Sequence, residues 1–476
     1  MDEFPTDGVF AHHKHRCEHA GRNQFVPGES LLADGSQMLG TSAGPRGRRT
    51  IPSLRWWIGA MLFASTVINY IDRQTLSLLA PYLKRDYHWT NTDYANIVVA
   101  FRVAYSIGQT LCGRLMDRLG TKRGLTLTIL WYSVVSMLTP LANGFRSFVG
   151  FRFLLGAAES GNWPGATKAV SEWFPKHERG VATALFDSGS SIGGAIAPFL
   201  VLPLYFRWGM GMAFAVPGLL GVLWLLAWRW LYYRPREHPY LSASELRIIT
   251  ADTGHEEATG RVALRWRDLL KLSQTWGVII CRSFTDPVFF FIADWFPIYL
   301  VAKGISLKSG LIAIWIPFIG TDLGNFFGGW MSGLLIRRAW PVGKARKTMV
   351  LFGAIGMTLL IPTILTANLP TLTLLFALAT FCYGTYTTVA NVLPSDLFFA
   401  DSVASVSGLS GTAAAFGAVI VFEVAGHLSD SRLATGTHLF DPLMILSGSI
   451  PFVGMILVLL LVRNTGATQQ GLIRKI

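Results

Sequence analysis

Windows of about twenty predominantly apolar residues, each long enough to cross hydrocarbon as a helix, begin near Trp56, Thr92, Lys122, Phe145, Val181, Gly211, Trp276, Ser309, Thr348, Leu369, Val403 and Pro442. A segment in the bilayer core has no water to bond its backbone, so it satisfies its own N–H and C=O groups and folds as a helix. Only 14% of the residues are charged and 51% are hydrophobic, whereas soluble domains carry roughly 25% charged residues. The expected class is an all-α membrane protein with twelve transmembrane helices.

The formal net charge of +13 would suggest nucleic acid in a soluble protein, but here Lys and Arg collect in alternate loops. Arg118, Lys122 and Arg123 lie between spans 2 and 3, Lys176 and Arg179 between 4 and 5, and Arg337, Arg338, Lys344, Arg346 and Lys347 between 8 and 9. The loop from Arg234 to Lys271 is also basic, so the positive-inside rule puts these loops and both termini in the cytoplasm. The expected macromolecular environment is a lipid bilayer, with no nucleic acid, in the plasma membrane of a bacterium and as a monomer.

Six spans precede the polar segment Tyr232 to Gln274 and six follow it. We expect a cytoplasmic tail at 1–50, a six-helix half at 51–233, a cytoplasmic linker at 234–274, a second half at 275–463 and a short cytoplasmic tail at 464–476. In the linker, Ser242 followed by Glu245 predicts a capping box for a short surface helix. The Gly113–Arg123 stretch after span 2 has a counterpart in Gly329–Arg338 after span 8, which points to two pseudo-symmetric halves. Transporters built from such repeats place substrate between them.

Residues 1–50 are rich in Gly, Ser, Arg and His and read as a disordered tail without a cleavable signal. His12, His13 and His15 have no acidic or Cys partner nearby, so no metal site is expected. Cys17, Cys112, Cys281 and Cys382 are scattered, which argues against a disulfide framework or zinc. Gly189-Ser-Ser-Ile-Gly-Gly and Ser407-Gly-Leu-Ser-Gly lack the Lys-Ser/Thr ending of a phosphate loop and read as close-packing helix faces. No reactive constellation or cofactor motif is visible, so an enzyme is not expected.

The costly residues are charges inside spans. Asp72 and Arg73 sit in the middle of span 1, and each charge at such depth costs on the order of 3 kcal/mol on insertion scales. Arg152 and Glu159 lie two helical turns apart, on one face of span 4. These residues either line a polar pathway through the membrane or form a static ion-pair network within the first half.

The motif Gly-x-x-x-Asp-Arg-x-Gly-x-Lys-Arg, carried by Gly113, Asp117, Arg118, Gly120, Lys122 and Arg123, resembles the signature of the major facilitator superfamily. Its glycines suit helix packing, and Asp117 with the basic residues can form an inter-helix charge network that locks one conformation. Asn69-Tyr-Ile-Asp-Arg-Gln-Thr-Leu in span 1, Gly150–Gly165 in span 4 and Glu172-Trp-Phe-Pro are similar to the anion:cation symporter family. Thr285-Asp-Pro-Val, Gly343-Lys-Ala-Arg-Lys and Leu393-Pro-Ser-Asp-Leu-Phe resemble its hexuronate transporter branch. The likeness covers roughly residues 52–463 and implies two six-helix halves that alternate access to a central cavity.

That resemblance implies that Arg73 binds a substrate carboxylate while Asp72 and Glu159 exchange protons. An Arg suits the first role because its planar fork is always ionised and bidentate. Arg152, on the Glu159 face, is expected to compete with Arg73 for that acid. The family places Tyr70 and Tyr105 toward the cavity, although either is also an ordinary packing residue. Asn162 and Gln109 are ligands or interhelical bonding residues. Asp294 in span 7 is a proton site, a hydroxyl-binding group, or a residue near the outer interface. Asp322 and Glu423 raise the same question, while Asn391 and Ser395 could bond sugar hydroxyls. Asp187 stands where relatives often have Asn, which puts the substrate in doubt.

The function expected from these residues is proton-coupled symport of a small organic anion, foremost a hexuronate, without a cofactor or metal. The alternatives are an antiporter or facilitator of another organic anion (aldonate, dicarboxylate or organophosphate) and, further off, a non-transporting membrane sensor.

Overall fold

The computed structural model describes residues 50–251, 264–303, 311–433 and 441–462, with side chains omitted at 91, 293–298, 301–302, 311–314 and 422–433. Almost all of the N-terminal tail, with Cys17 and the histidine cluster, lies outside the described residues, as does the C-terminal tail. So do the side chains of Asp294 and Glu423.

The described residues form helices and no strands. They are α1 Leu54–Asp86, α2 Asn91–Leu119, α3 Thr121–Leu138, α4 Phe145–Glu159, α5 Asn162–Trp173, α6 Arg179–Leu231, α7 Ala243–Thr250 and α8 Trp266–Leu269. After them come α9 Ser273–Ser283, α10 Asp286–Ala302, α11 Leu311–Arg337, α12 Val342–Met357, α13 Leu369–Leu397, α14 Ala400–Leu433 and α15 Asp441–Leu461.

Seven helical stretches among the described residues are apolar and long enough to cross a membrane on those grounds alone. One of them, α6, has 53 residues and would be about 80 Å long if straight, far more than a bilayer accepts. It breaks at Gly209, whose φ of 79° lies in the left-handed region that glycine enters freely, and so makes two crossings. Helices α1, α2 and α11 carry more polar residues along their length, and α4 with α5 is one crossing in two pieces. Counted this way, with α9 and α10 also sharing a crossing, the described helices give the expected twelve.

Burial follows lipid rather than water. Phe199, Leu226 and Leu365 are 83%, 65% and 84% exposed, while Asp72, Glu159 and Lys168 are among the buried polar residues. A perimeter of apolar side chains around a polar interior is what hydrocarbon solvent selects. In the first half a core of Leu54, Ile58, Met116, Leu125, Trp173 and Trp228 packs the ends that carry the basic loops. Trp228 stacks on Tyr232 with ring centroids 4.2 Å apart.

The two halves meet through small residues. Gly180 of α6 lies directly against Gly329 of α11, Gly333 against the His177 carbonyl, and Gly113 of α2 against the Ala404 carbonyl of α14. Backbones approach this closely only where no side chain intervenes. Gly189 and Gly193 likewise lie on α1, and Gly408 lies on α2, so both glycine-rich stretches of the sequence are packing faces.

The linker helix α7 is capped as expected on one side only. Ser242 Oγ accepts from Glu245 N at 3.2 Å, but the Glu245 carboxylate turns to α1, where it accepts from Leu54 N at 3.0 Å and Arg55 N at 3.1 Å. Two donors at an uncapped helix start, and the Arg55 guanidinium 2.9 Å away, outbid the single N–H of its own cap.

Candidate functional site

Helix α1 brings Asn69, Tyr70, Asp72 and Arg73 into the first half, and α4 ends at Glu159, where the chain breaks before α5 begins at Asn162. The break places a carboxylate at a helix interruption inside the membrane, a position that transporters use for ion and substrate contacts. Arg73 Nε and Nη2 donate to the same oxygen, Glu159 Oε2, at 3.0 and 2.9 Å. Nη2 also reaches Asn69 Oδ1 at 3.3 Å.

The guanidinium lies between aromatic rings, 4.7 Å from the centroid of Tyr70, 4.7 Å from Tyr105 and 5.1 Å from Phe101. This cage holds the fork by cation–π attraction. The Arg73 side chain keeps 24% of its surface exposed whereas that of Glu159 has 0%. The arginine side chain is therefore partly accessible and its counter-charge is not.

Asp72 points the other way around α1. Its Oδ1 accepts from Ser136 Oγ at 2.5 Å, and Ser136 also bonds the Phe214 carbonyl. Arg152 is 3% exposed, and its electrostatic partners are Asp72 first and Glu159 second. It makes no direct bond to either acid: Arg152 Nε and Nη2, Asp72 Oδ2 and Glu159 Oε1 all lack a hydrogen-bond partner among the described residues. In this conformation Arg73 bonds Glu159 and Arg152 does not.

Asn162 bonds α1 in this conformation. It is fully buried, accepts from Ser65 Oγ at 3.1 Å and donates to Thr66 Oγ1 at 3.3 Å, which ties α5 to α1. Gln109 is also buried, pressed against Gly411 of α14. Ser395 is buried too, its carbonyl taken by Arg179.

On the opposite side Asn391 Nδ2 of α13 donates across the halves to Asp187 Oδ2 of α6 at 3.1 Å. Behind it Arg282 Nε and Nη2 both bond Asp286 Oδ2, at 3.0 and 2.8 Å, spanning the break between α9 and α10. Thr387 Oγ1 donates to Asp286 Oδ1 at 3.3 Å. This pair was not singled out from the sequence, although Asp286 lies in the Thr285-Asp-Pro-Val motif. Asp322 of α11 is half-buried beside Ser191.

At the basic end a second set of charges joins the halves. Asp117 is bound by Lys168 Nζ of α5 at 2.9 Å and by the amides of Ala404 and Ser405 of α14, at 3.3 and 2.7 Å. The carboxylate of the first half thus lies against the second turn of α14, where two amides add to the charge of Lys168. Asp396 of α13 takes Arg179 of α6 at 3.2 Å and Arg346 of α12 at 2.8 Å.

The expected partners of Asp117 are replaced. Arg118 and Arg123 are exposed, and Lys122 Nζ sits 3.5 Å over the Tyr233 ring. Gly120 instead turns the chain between α2 and α3 at a φ of 79°. Lys168 was missed because one cation in a span reads as an incidental polar residue. Its signal was a lysine among the small residues of α5, where solvation is lost. Arg179 and Arg346, read as loop charges, are buried ion-pair members.

Residues 62–421 match the profile of the Major Facilitator Superfamily. The chain is similar to the hexuronate transporter of Escherichia coli (strain K12), 29% identical over 88% of this chain and 97% of that one. It is also similar to the galacturonate transporter of Dickeya chrysanthemi, 32% identical over 64% and 90%. A probable galactarate/D-glucarate transporter of Escherichia coli (strain K12) is 32% identical over 69% and 78%. Among solved structures, the proton:xylose symporter XylE superposes with a TM-score of 0.66 at 15% identity, covering 88% of this chain and 99% of that one. The fucose:proton symporter FucP gives 0.60 at 15%, covering 86% and 99%. At such identities the two structures speak for the fold: twelve helices in two halves.

Proposed function

The chain belongs to the Major Facilitator Superfamily, and on that premise we propose that it is a symporter that carries a sugar acid, foremost a hexuronate, together with protons. Membrane transport is the common property of its sugar-acid relatives.

One observation carries it. Arg73 is partly exposed and caged by rings, yet both bonded nitrogens rest on a single oxygen of buried Glu159. A substrate carboxylate and Glu159 compete for the same fork. Protonating Glu159 removes the charge that holds Arg73 and leaves the guanidinium free for the incoming anion. Loss of that proton on the other side restores the Arg73–Glu159 pair and expels the anion. Asp72, 1% exposed and bonded on one oxygen only, is the second proton carrier. Tyr70 and Tyr105 hold Arg73 and offer hydroxyls to the sugar.

The basic end is the cytoplasmic side of a bacterial plasma membrane by the positive-inside rule, with both termini there. The chain acts as a monomer, its halves at 51–233 and 275–463 joined by the linker 234–274. The Asp117 and Asp396 networks close that side, so this conformation receives substrate from outside.

The test is uptake into proteoliposomes by Glu159→Gln. Net uptake driven by a pH gradient is lost while exchange of labelled for unlabelled hexuronate persists. Uptake that still follows the pH gradient would remove Glu159 from the proton path.

A further inference from the structure

Two charged sites lie in the interior. At one, the partly exposed Arg73 is paired with Glu159. At the other, Asp187 of the first half bonds Asn391 of the second, and Asp286 and Asp322 of the second half are among the acids around it. Neither Asp187 nor Asp322 has an ion-pair partner among the described residues, because Arg282 beside Asp187 is already held through two nitrogens by Asp286. Asp187 is 6% exposed. One of its oxygens is bound by Asn391 and the other, Oδ1, has no partner among the described residues.

The heights of these groups follow from the packing of α6 on α1. Gly189 lies against Phe63 and Thr66, and Gly193 against Val67 and Tyr70, so Asp187 stands near the level of Phe63. The Arg73 guanidinium turns back to Asn69 and Tyr70, six or seven residues along α1, or roughly 10 Å. A six-carbon acid spans roughly 6 Å between its terminal carbons, and its hydrogen bond to Arg73 adds about 3 Å. The far end of such a molecule, anchored at Arg73 and lying along α1, therefore reaches the level of Asp187.

We propose that Asp187 is a specificity-determining residue that admits sugar acids with one carboxylate and a hydroxylated tail and rejects those with a carboxylate at both ends. This rests on the reading of Arg73 as the anion anchor. A hydroxyl at the far end donates to the open oxygen of Asp187 and accepts from the Asn391 amide. A second carboxylate there meets Asp187 with Asp322 nearby, while the cation beside them, Arg282, is already held by Asp286, and like charges close together in a low dielectric repel strongly. The relatives include carriers of both kinds of acid, so the distinction separates real alternatives.

The experiment measures binding to the purified full-length protein at neutral pH, by ligand-induced thermal shift and by competition, using glucuronate and galacturonate against glucarate and galactarate. Wild type binds the monoacids at least roughly tenfold more tightly than the diacids, and Asp187→Asn narrows that ratio by about tenfold. Asp322→Asn, read in the same way, narrows it by a smaller factor and serves if the first variant does not fold. A wild type that binds diacids as well as monoacids, or a ratio unchanged in both variants, overturns the proposal while leaving the sugar-acid reading intact. Binding of neither class overturns both.

Discussion

Arg73 is the side chain on which the proposed chemistry turns, and its surroundings distinguish it from a mere positive charge. Two of its nitrogens bond one carboxylate oxygen, one of them also bonds Asn69, and three rings cover its faces. A lysine keeps the charge but has neither the flat fork nor the stacking surface. Arg73→Lys should weaken substrate binding by about tenfold to a hundredfold, the loss of one charge-assisted hydrogen bond of roughly 1.5–3 kcal/mol, with melting little changed. Unaltered affinity would show that charge alone is read there. Asp72, Arg73 and Glu159 were legible in the sequence because a charge in an apolar span stands out against its neighbours. Lys168, Arg179 and Arg346 were not. At the end of a span a buried cation and a solvated one have the same sequence context, and only the packing of another helix decides between them.

At the scale of elements, interruptions matter more than regular helix. The α4–α5 break exposes Glu159 to Arg73, the α9–α10 break is bridged by Arg282 and Asp286, and Gly209 folds one long apolar run into two crossings. The windows of the sequence located the spans closely, since hydropathy sets their length. The breaks within spans 4 and 7 escaped, because a short kink leaves the apolar average untouched. The linker offers an element-scale prediction. His238 Nε2 bonds the Leu231 carbonyl at 2.8 Å and its Nδ1 accepts from Tyr240 N at 3.1 Å, so the ring is held neutral. Burial lowers its pKa below the usual histidine value, with the Leu231 carbonyl opposing that shift. A group depressed in the folded state contributes stability that is complete above the unfolded pKa and is lost as the pH falls through the folded one. The difference in melting temperature between wild type and His238→Ala should therefore be largest near about pH 7.5 and shrink toward about pH 5.5. A constant difference would place the histidine outside this balance.

For the whole molecule, the halves are held at one end by carboxylates that each serve several partners. Asp396 receives an arginine from each half, Arg179 and Arg346, and all three side chains are almost wholly buried. Removing the acid leaves two cations unpaired at a cost of about 3–5 kcal/mol to this arrangement alone, and opening the basic end rehydrates them. Asp396→Asn should therefore shift the population toward that opening. In a protein carrying Ser405→Cys as its sole cysteine, at a site now fully buried, labelling by a polar maleimide from the basic side should rise severalfold. Labelling that stays at the wild-type level would mean that Asp396 does not hold the closure. Membrane embedding, the number of crossings, the two-half plan and the identity of the central charges were determined by sequence, since each is a matter of apolar length or of a charge out of place. Which acid holds which base, and which groups of one half meet the other, were decided only by tertiary structure. Asp187 meets Asn391 from 204 residues away, and an interaction set by the docking of two halves leaves no periodicity in either of them.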